Sequence, residues 1–247
     1  MKRNIIILLL ILITFPVFCT EISTGLTYDS HQAEFPIGAD FSLEETFENN
    51  SSLFVGLAYK NEGTYTASIM YKKMLSLFMI SGGLNYDISK TGIYPGIAAE
   101  AGIVLKKFSF TAAGGANLNY ADLLKPESYN CSADIIFDTS ESIIDLKFLF
   151  NSFNSAVGKT TKIGGGLLFT AYQQGAPATI DFIANAQYVT DTVSGVNGVA
   201  ANAGMGINVT LPFMSIHLKT LVDVMQPGSK LLLNPPFSIG LSAGFVL

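Results

Sequence analysis

The chain has 247 residues, 14 Lys and Arg against 19 Asp and Glu, a net charge of −5, and 49% hydrophobic against 13% charged residues. Arg3 is its only arginine and tryptophan is absent, which argues against nucleic-acid or phosphate recognition, where bidentate guanidinium contacts dominate. Mean hydropathy is positive, yet after the first 19 residues no run approaches the ~18 apolar residues of a membrane-crossing helix, so apolar side chains must be dispersed by alternation.

The N-terminus opens on the positive stretch Met1-Lys2-Arg3-Asn4 and continues into an apolar run from Ile5 to Phe15. Pro16-Val17-Phe18-Cys19 then leads into polar Thr20-Glu21, with Val17 and Cys19 where a signal peptidase accepts them. This reads as a cleaved signal peptide over residues 1–19, with a single domain over 20–247, because the run is too short for a spanning helix. The competing reading is a lipid anchor on Cys19, and bulky Phe18 just before the cysteine argues against it. Cleavage removes Lys2 and Arg3, takes the net charge from −5 to −7, and leaves Cys131 as the sole cysteine. An intramolecular disulfide is then impossible, and Cys131 is expected to be an inert strand residue.

From residue 22 onward the chain repeats one pattern, a period of two, which marks strands. Ile22, Thr24, Leu26 and Tyr28 alternate with Ser23, Gly25, Thr27 and Asp29. Ile37, Ala39, Phe41 and Leu43 alternate with Gly38, Asp40, Ser42 and Glu44. Leu53 to Tyr59 and Tyr65 to Tyr71 follow, and residues 75–86 are apolar on both parities. Ile97 to Leu105 and Phe108 to Leu118 resume the alternation, with weaker strands at 131–138 and 143–150. Ile163 to Phe169, Ile180 to Tyr188, Ala203 to Leu211 and Met214 to Val222 complete the series before the C-terminal segment. The count is about fourteen, or twelve if residues 131–150 form something else. Tight links at Lys72-Lys73, Lys106-Lys107 and Leu211-Pro212-Phe213 follow even-numbered strands. Longer ones at 121–130, 151–161, 189–195 and 225–235 follow odd-numbered strands, which places short turns and both termini on one side.

The last eleven residues, F-S-I-G-L-S-A-G-F-V-L, set Phe237, Ile239, Leu241, Ala243, Phe245 and Leu247 on one parity. Ser238, Gly240, Ser242 and Gly244 occupy the other, and only Val246 departs from the rule. Such a strand has one apolar and one small, polar face, and its length suits a tilted crossing of a hydrocarbon layer. Together with the N-terminal segment and the alternating strands, an end of Phe245-Val246-Leu247 resembles the bacterial outer-membrane β-barrel proteins. The resemblance is one of pattern across the whole mature chain, and it points to no specific family. It implies a closed transmembrane antiparallel up-and-down β-barrel with both termini in the periplasm. It also implies a C-terminal assembly signal, carried here by Phe237, Ile239, Leu241, Phe245 and Leu247. Barrels of the fatty-acid-transporter type match the strand count, but they are longer and carry a hatch for which this chain leaves no room.

If the polar parity faces inward, the lumen gathers Asp29, Asp40, Glu100, Asp134, Asp145, Asp181 and Asp223 against Lys72, Lys147, Lys219 and His217. An excess of acids favours cations in a water-filled pore. Inward glycines leave space rather than fill it, although the same charges could merely pair across a narrow lumen. Ser215, His217, Lys219 and Asp223 share one face of one strand, the residue types of an acyl-transfer site. Residues two apart on a strand lie about 6–7 Å apart, beyond hydrogen-bond reach, so they read as polar lumen residues. His31, between Asp29 and Glu34, reads as a solvated loop residue, and two histidines with one mature cysteine offer no metal spacing. Gly164-Gly165-Gly166 lacks the Lys-Ser/Thr of a phosphate loop and suits barrel curvature. Tyr28, Tyr59, Tyr65, Tyr71, Tyr94, Tyr120, Tyr188 and Phe237 near strand ends fit an interfacial girdle.

These features lead us to expect a non-enzymatic barrel without cofactor or metal, in contact with outer-membrane lipid and, during biogenesis, the barrel-assembly machinery, but not with nucleic acid. The expected activity is passive passage of ions or small solutes with a weak cation bias. A structural or surface-interaction protein with a closed lumen is the alternative, and a soluble β-sandwich a third. Neither the solute nor the oligomeric state is legible in the sequence.

Overall fold

Alternation over nine or more residues gives each segment one apolar and one polar face, and a strand so built must pair on both edges. The computed structural model of the protein describes residues 21–30, 36–60, 64–89, 92–119, 122–139, 141–155, 158–172, 176–228 and 235–246. Within them lie β1 (Glu21–Asp29), β2 (Ile37–Phe47), β3 (Ser51–Lys60), β4 (Thr64–Leu75), β5 (Phe78–Ser89), β6 (Gly92–Leu105) and β7 (Phe108–Asn119). The second half contributes β8 (Asp122–Asp138), β9 (Ser142–Ser155), β10 (Gly158–Tyr172), β11 (Ala178–Asp191), β12 (Val196–Thr210), β13 (Met214–Met225) and β14 (Phe237–Val246). Each strand pairs antiparallel with its chain neighbours, and β1 closes on β14, with Ile22 opposite Phe245 and Leu26 opposite Leu241. The fold is a closed fourteen-strand up-and-down barrel, and closure removes both sheet edges. The twelve-strand alternative falls because residues 131–138 and 142–150 lie in β8 and β9.

Register carries one parity unbroken around the wall. From Thr27 the directly opposed residues run through Gly240, Lys219, Gly206, Asp181 and Thr170 to Ile143, all on one face. A one-residue slip at any pair would send that whole set to the other side. The opposite parity carries the large apolar side chains, and they stand exposed: Leu26 and Ile97 at 57%, Leu241 at 49%. Among the described residues no large side chain is fully buried, so the greasy surface is an outer belt rather than a core. Aromatic pairs mark its two margins. Tyr28–Phe237 (ring centroids 6.0 Å) and Tyr59–Tyr65 (5.0 Å) lie toward the end opposite the termini, and Phe108–Phe137 (5.4 Å) toward the other.

Several expectations need correction. Lys72 and Lys73 do not form a turn. They lie inside β4, and the chain reverses at Ser76-Leu77, where Ser76 takes φ 60°. The strand continues because Met74 and Leu75 find partners in Met79 and Phe78. Residues 75–86, expected to be apolar on both parities, belong mainly to β5 and alternate: Phe78 and Ile80 face out, while Ser81, Asn85 and Met79 face in, Met79 at 3% exposure. The links expected at 121–130 and 151–161 are largely strand, because polar residues extend a ladder once a neighbour supplies partners. Ser128 stands opposite Phe153, and Gly158 opposite Ser155. The link expected at 189–195 begins only after Asp191 and turns at Gly195, φ 70°. As a result β8, β10 and β12 run to 17, 15 and 15 residues while β1 and β14 have 9 and 10, giving the barrel one tall and one low side. Tyr94 does not join the girdle: it stands opposite inward Asp87. The expected signal peptide, Cys19, His31, Glu34, Tyr120 and Leu247 lie outside the described residues.

Candidate functional site: the lumenal wall

Fourteen strands spaced ~4.8 Å apart and tilted ~40° close a backbone ring about 28 Å across. That is wider than two short opposed side chains can bridge, so the inner wall is the surface on which chemistry can occur. Register puts all the charged candidates on this wall. Asp29 stands opposite Ser238, Asp40 opposite Gly25, Lys72 and Glu100 on either side of Ser81, and Asp145 opposite Leu168. Asp134 faces Lys147, Asp181 faces Gly206, His217 and Lys219 sit between β12 and β14, and Asp223 is opposite Asn202.

The structure brings six of these together on β8, β9, β11 and β13. Lys147 Nζ lies 3.4 Å from Asp134 Oδ1, and His217 Nε2 lies 3.0 Å from Asp181 Oδ2. The histidine approach is off the hydrogen-bonding direction, so its strength depends on the charge of the ring. Thr170 Oγ1 donates to Asp181 Oδ1 at 2.7 Å, Lys219 sits in the fields of Asp181 and Lys147, and Asp145 in those of Lys147 and Asp134. Asp40, Glu100 and Lys72 lie on other parts of the wall. Glu100 accepts from the Ser81 hydroxyl at 3.3 Å, a neutral donor that orients the carboxylate without cancelling its charge.

Ser215 and His217 diverge. Ser215 Oγ leans toward β14, 3.0 Å from where a Cβ on Gly244 would stand, whereas His217 leans over Gly206 toward β11. The two side chains thus lean to opposite neighbouring strands. Among the described residues no group of three or more His, Cys, Asp or Glu is placed to hold a metal ion.

Glycine explains how polar side chains reach across a strand. His217 and Asp181 meet above Gly206, where a Cβ would come 2.8 Å from the ring nitrogen. Asn85 Nδ2 donates to Asn117 Oδ1 (2.8 Å) above Gly96, and Asn117 Nδ2 donates to Asp87 Oδ2 (2.8 Å). Thr66 Oγ1 completes that network on Asp87 Oδ1 at 2.7 Å. Asn185 lies above Gly166 and donates to Asn202 Oδ1 at 2.8 Å; Asp40 lies above Gly25. In each case the polar chain lies flat on the wall, in space that only a glycine leaves free. Of the described strand glycines only Gly82, Gly114 and Gly165 share the outward parity.

Two recesses adjoin on this wall and share Asn185. One, of about 210 Å³, holds Asp145, Lys147, Asp181, His217 and Lys219. The other, of about 320 Å³, lies above it between Asn185, Gln187, Asn202, Asp223 and Leu149. Sequence reasoning missed Asp87, because apolar Leu75, Leu77 and Met79 mask the polar parity that Ser81, Asn85 and Asp87 continue, and it passed over the carboxamides as generic polarity. The usable signal was their parity, since Asn85, Asn117, Asn130, Asn151, Asn185, Gln187, Asn202 and Asn208 all fall inward.

No protein-family model matches the chain, and no curated protein does. Solved structures do. The chain is similar to a bacterial polysaccharide outer membrane secretin at 9% identity and TM-score 0.57, covering 92% of this chain and 98% of that one. It is similar to the outer membrane channel DcaP of Acinetobacter baumannii at 7% identity and TM-score 0.55, covering 92% and 95%. An anion-selective porin from Comamonas acidovorans matches at 8% identity and TM-score 0.51, covering 92% and 98%. At such identities the likeness shows the fold alone: this chain has the barrel fold of bacterial outer-membrane porins.

Proposed function

We propose that the protein is an integral outer-membrane barrel, both termini periplasmic, that passes ions or small solutes passively through its lumen with a weak cation bias. The observation that carries this reading is the flat seating of polar side chains over inward glycines, which lines the lumen with hydrophilic groups while leaving its cross-section free. The outer belt supports the membrane setting, since Leu26, Ile97 and Leu241 would otherwise stand in water. Channels and porins among the structural neighbours support the class of activity. One neighbour of the same fold is anion-selective, so the fold alone does not give a cation preference, and the charges of this wall must set it.

The cation bias rests on how the acids are held. Asp134 faces Lys147 and Asp181 lies in the field of Lys219, and these lysines offset them, whereas Glu100 is held by a hydroxyl. We place the assembly-signal residues Phe237, Ile239, Leu241 and Phe245 on the outward side of β14, and assign the lumen no catalytic step. Purified protein refolded into planar bilayers under a KCl gradient should give a reversal potential of the sign for cations. Glu100→Gln with Asp40→Asn should move that potential toward zero by more than Asp134→Asn does. An anion-selective potential in the natural sequence contradicts the bias.

A further inference from the structure

The upper of the two adjoining recesses, about 320 Å³ in volume, is unlike the rest of the wall, because its polar groups are mostly uncharged. Asn185, Gln187 and Asn202 present three carboxamides, Asp223 one carboxylate, and Leu149 and Met225 apolar surface. The Asn185–Asn202 hydrogen bond uses one N–H and one carbonyl oxygen, so whichever way the amides are turned the pair keeps both donors and acceptors for a third party. Among the described residues the Gln187 side chain has no hydrogen-bond partner. The ladder between β12 and β13 is irregular here: Asn202 faces Asp223 but Ala201 faces Met225, so Val224 is an extra residue. A bulge of this kind re-aims the side chains beside it and is common next to binding sites.

We propose that this recess is a binding subsite for a neutral polyhydroxylated solute of monosaccharide size, a proposal that rests on the channel reading above and names a solute class for it. Carboxamides pair with hydroxyls in both directions and give up bulk water at far lower cost than charged groups do. The carboxylate of Asp223 adds acceptor oxygens beside the amides, and none of the described residues lining the recess is a cation that would receive the carboxylate of a sugar acid. Leu149 and Met225 offer the apolar contact that the C–H faces of a sugar ring require. The volume lies at the lower end of the range for ligand pockets, so it takes one ring rather than a chain. The cationic side chains Lys147 and Lys219 belong to the lower recess, where Asp134 and Asp181 already face them.

The test combines channel block with direct binding, using the full chain refolded in detergent and in bilayers. Glucose should reduce single-channel current saturably, and glucuronate at equal concentration should do so far less. Gln187→Leu, whose side chain supports no other residue, and Asn202→Leu should each weaken glucose block by about three- to tenfold, the loss expected for one hydrogen bond. Saturation-transfer NMR of glucose on the detergent-refolded barrel reads the recess without requiring conduction. Glucose binding by NMR that falls in Gln187→Leu, in a barrel that conducts nothing, overturns the channel reading and leaves the subsite. Channels that conduct while glucose acts no differently on Gln187→Leu and the natural sequence overturn the subsite and leave the channel. Glucuronate binding as well as glucose overturns the proposed class.

Discussion

Strand glycines divide by what a side chain added there would meet. A Cβ on Gly204 would come 1.9 Å from the Thr220 carbonyl oxygen, which belongs to the backbone ladder and cannot move aside. A Cβ on outward Gly82 meets nothing nearer than 3.9 Å. Gly204→Ala should therefore lower barrel stability by about 1–3 kcal/mol in urea titrations read by heat-modifiable gel mobility, and Gly82→Ala should leave the midpoint unchanged. Gly96 is an intermediate case, because the groups above it are the ends of Asn85 and Asn117. Gly96→Ala should preserve folding but lift both amides off the wall, so its signature is a smaller unit conductance at unchanged stability. Equal urea midpoints for Gly204→Ala and Gly82→Ala would remove the steric argument for an inward glycine lining. The individual charges were legible in the sequence because parity alone puts Asp134, Asp181 and His217 on the polar face. Their partners were not, since Asp181 meets His217 across an intervening strand, a contact that depends on register and on Gly206 being bare.

At the level of the strand, parity makes a sharp claim that single-residue chemistry can check. Cys131 on β8 is exposed and stands on the outward side opposite Gly114, whereas Ser132 faces in opposite Leu149. In the membrane-inserted barrel a charged, water-borne thiol reagent should leave Cys131 unmodified and should label the Cys131→Ser, Ser132→Cys variant readily. Labelling in the reverse order would mean that the parity of β8 is inverted. The outward belt sets a matching energetic expectation. Phe110→Lys, on the lipid side of β7, should cost about 2–4 kcal/mol near mid-membrane, and Thr111→Lys, on the inner side, far less. Alternation made most of these strands visible in the sequence, because a half-buried strand repeats every two residues. It failed at the strand ends for a physical reason. Above the apolar belt the ladder persists without hydrophobic contrast, so residues 122–130 carry strand hydrogen bonds and a loop-like composition at once. The turn at Ser76-Leu77 escaped similarly, because two lysines within β4 looked more like a turn than the apolar residues that form it.

The molecule as a whole is a ring whose outer surface is greasy and whose inner surface is polar, with one tall wall from β8 to β12. That architecture followed from the sequence because closure, strand number and alternation are coupled: an even number of antiparallel strands with consistent parity closes, and an odd number does not return the termini to one end. The content of the lumen followed less well. Whether a wall of mixed charge lines a passage or fills it depends on which side chains lie flat, and that is set by contacts between strands. The central claim is an open, water-filled lumen. Single-channel recording of the refolded full chain, with insertion verified by heat-modifiable migration, tests it most directly. Steady openings are expected, with a current that grows linearly with voltage and falls when Gly206 is replaced by Leu. Barrels that are folded and inserted yet conduct no current would contradict it.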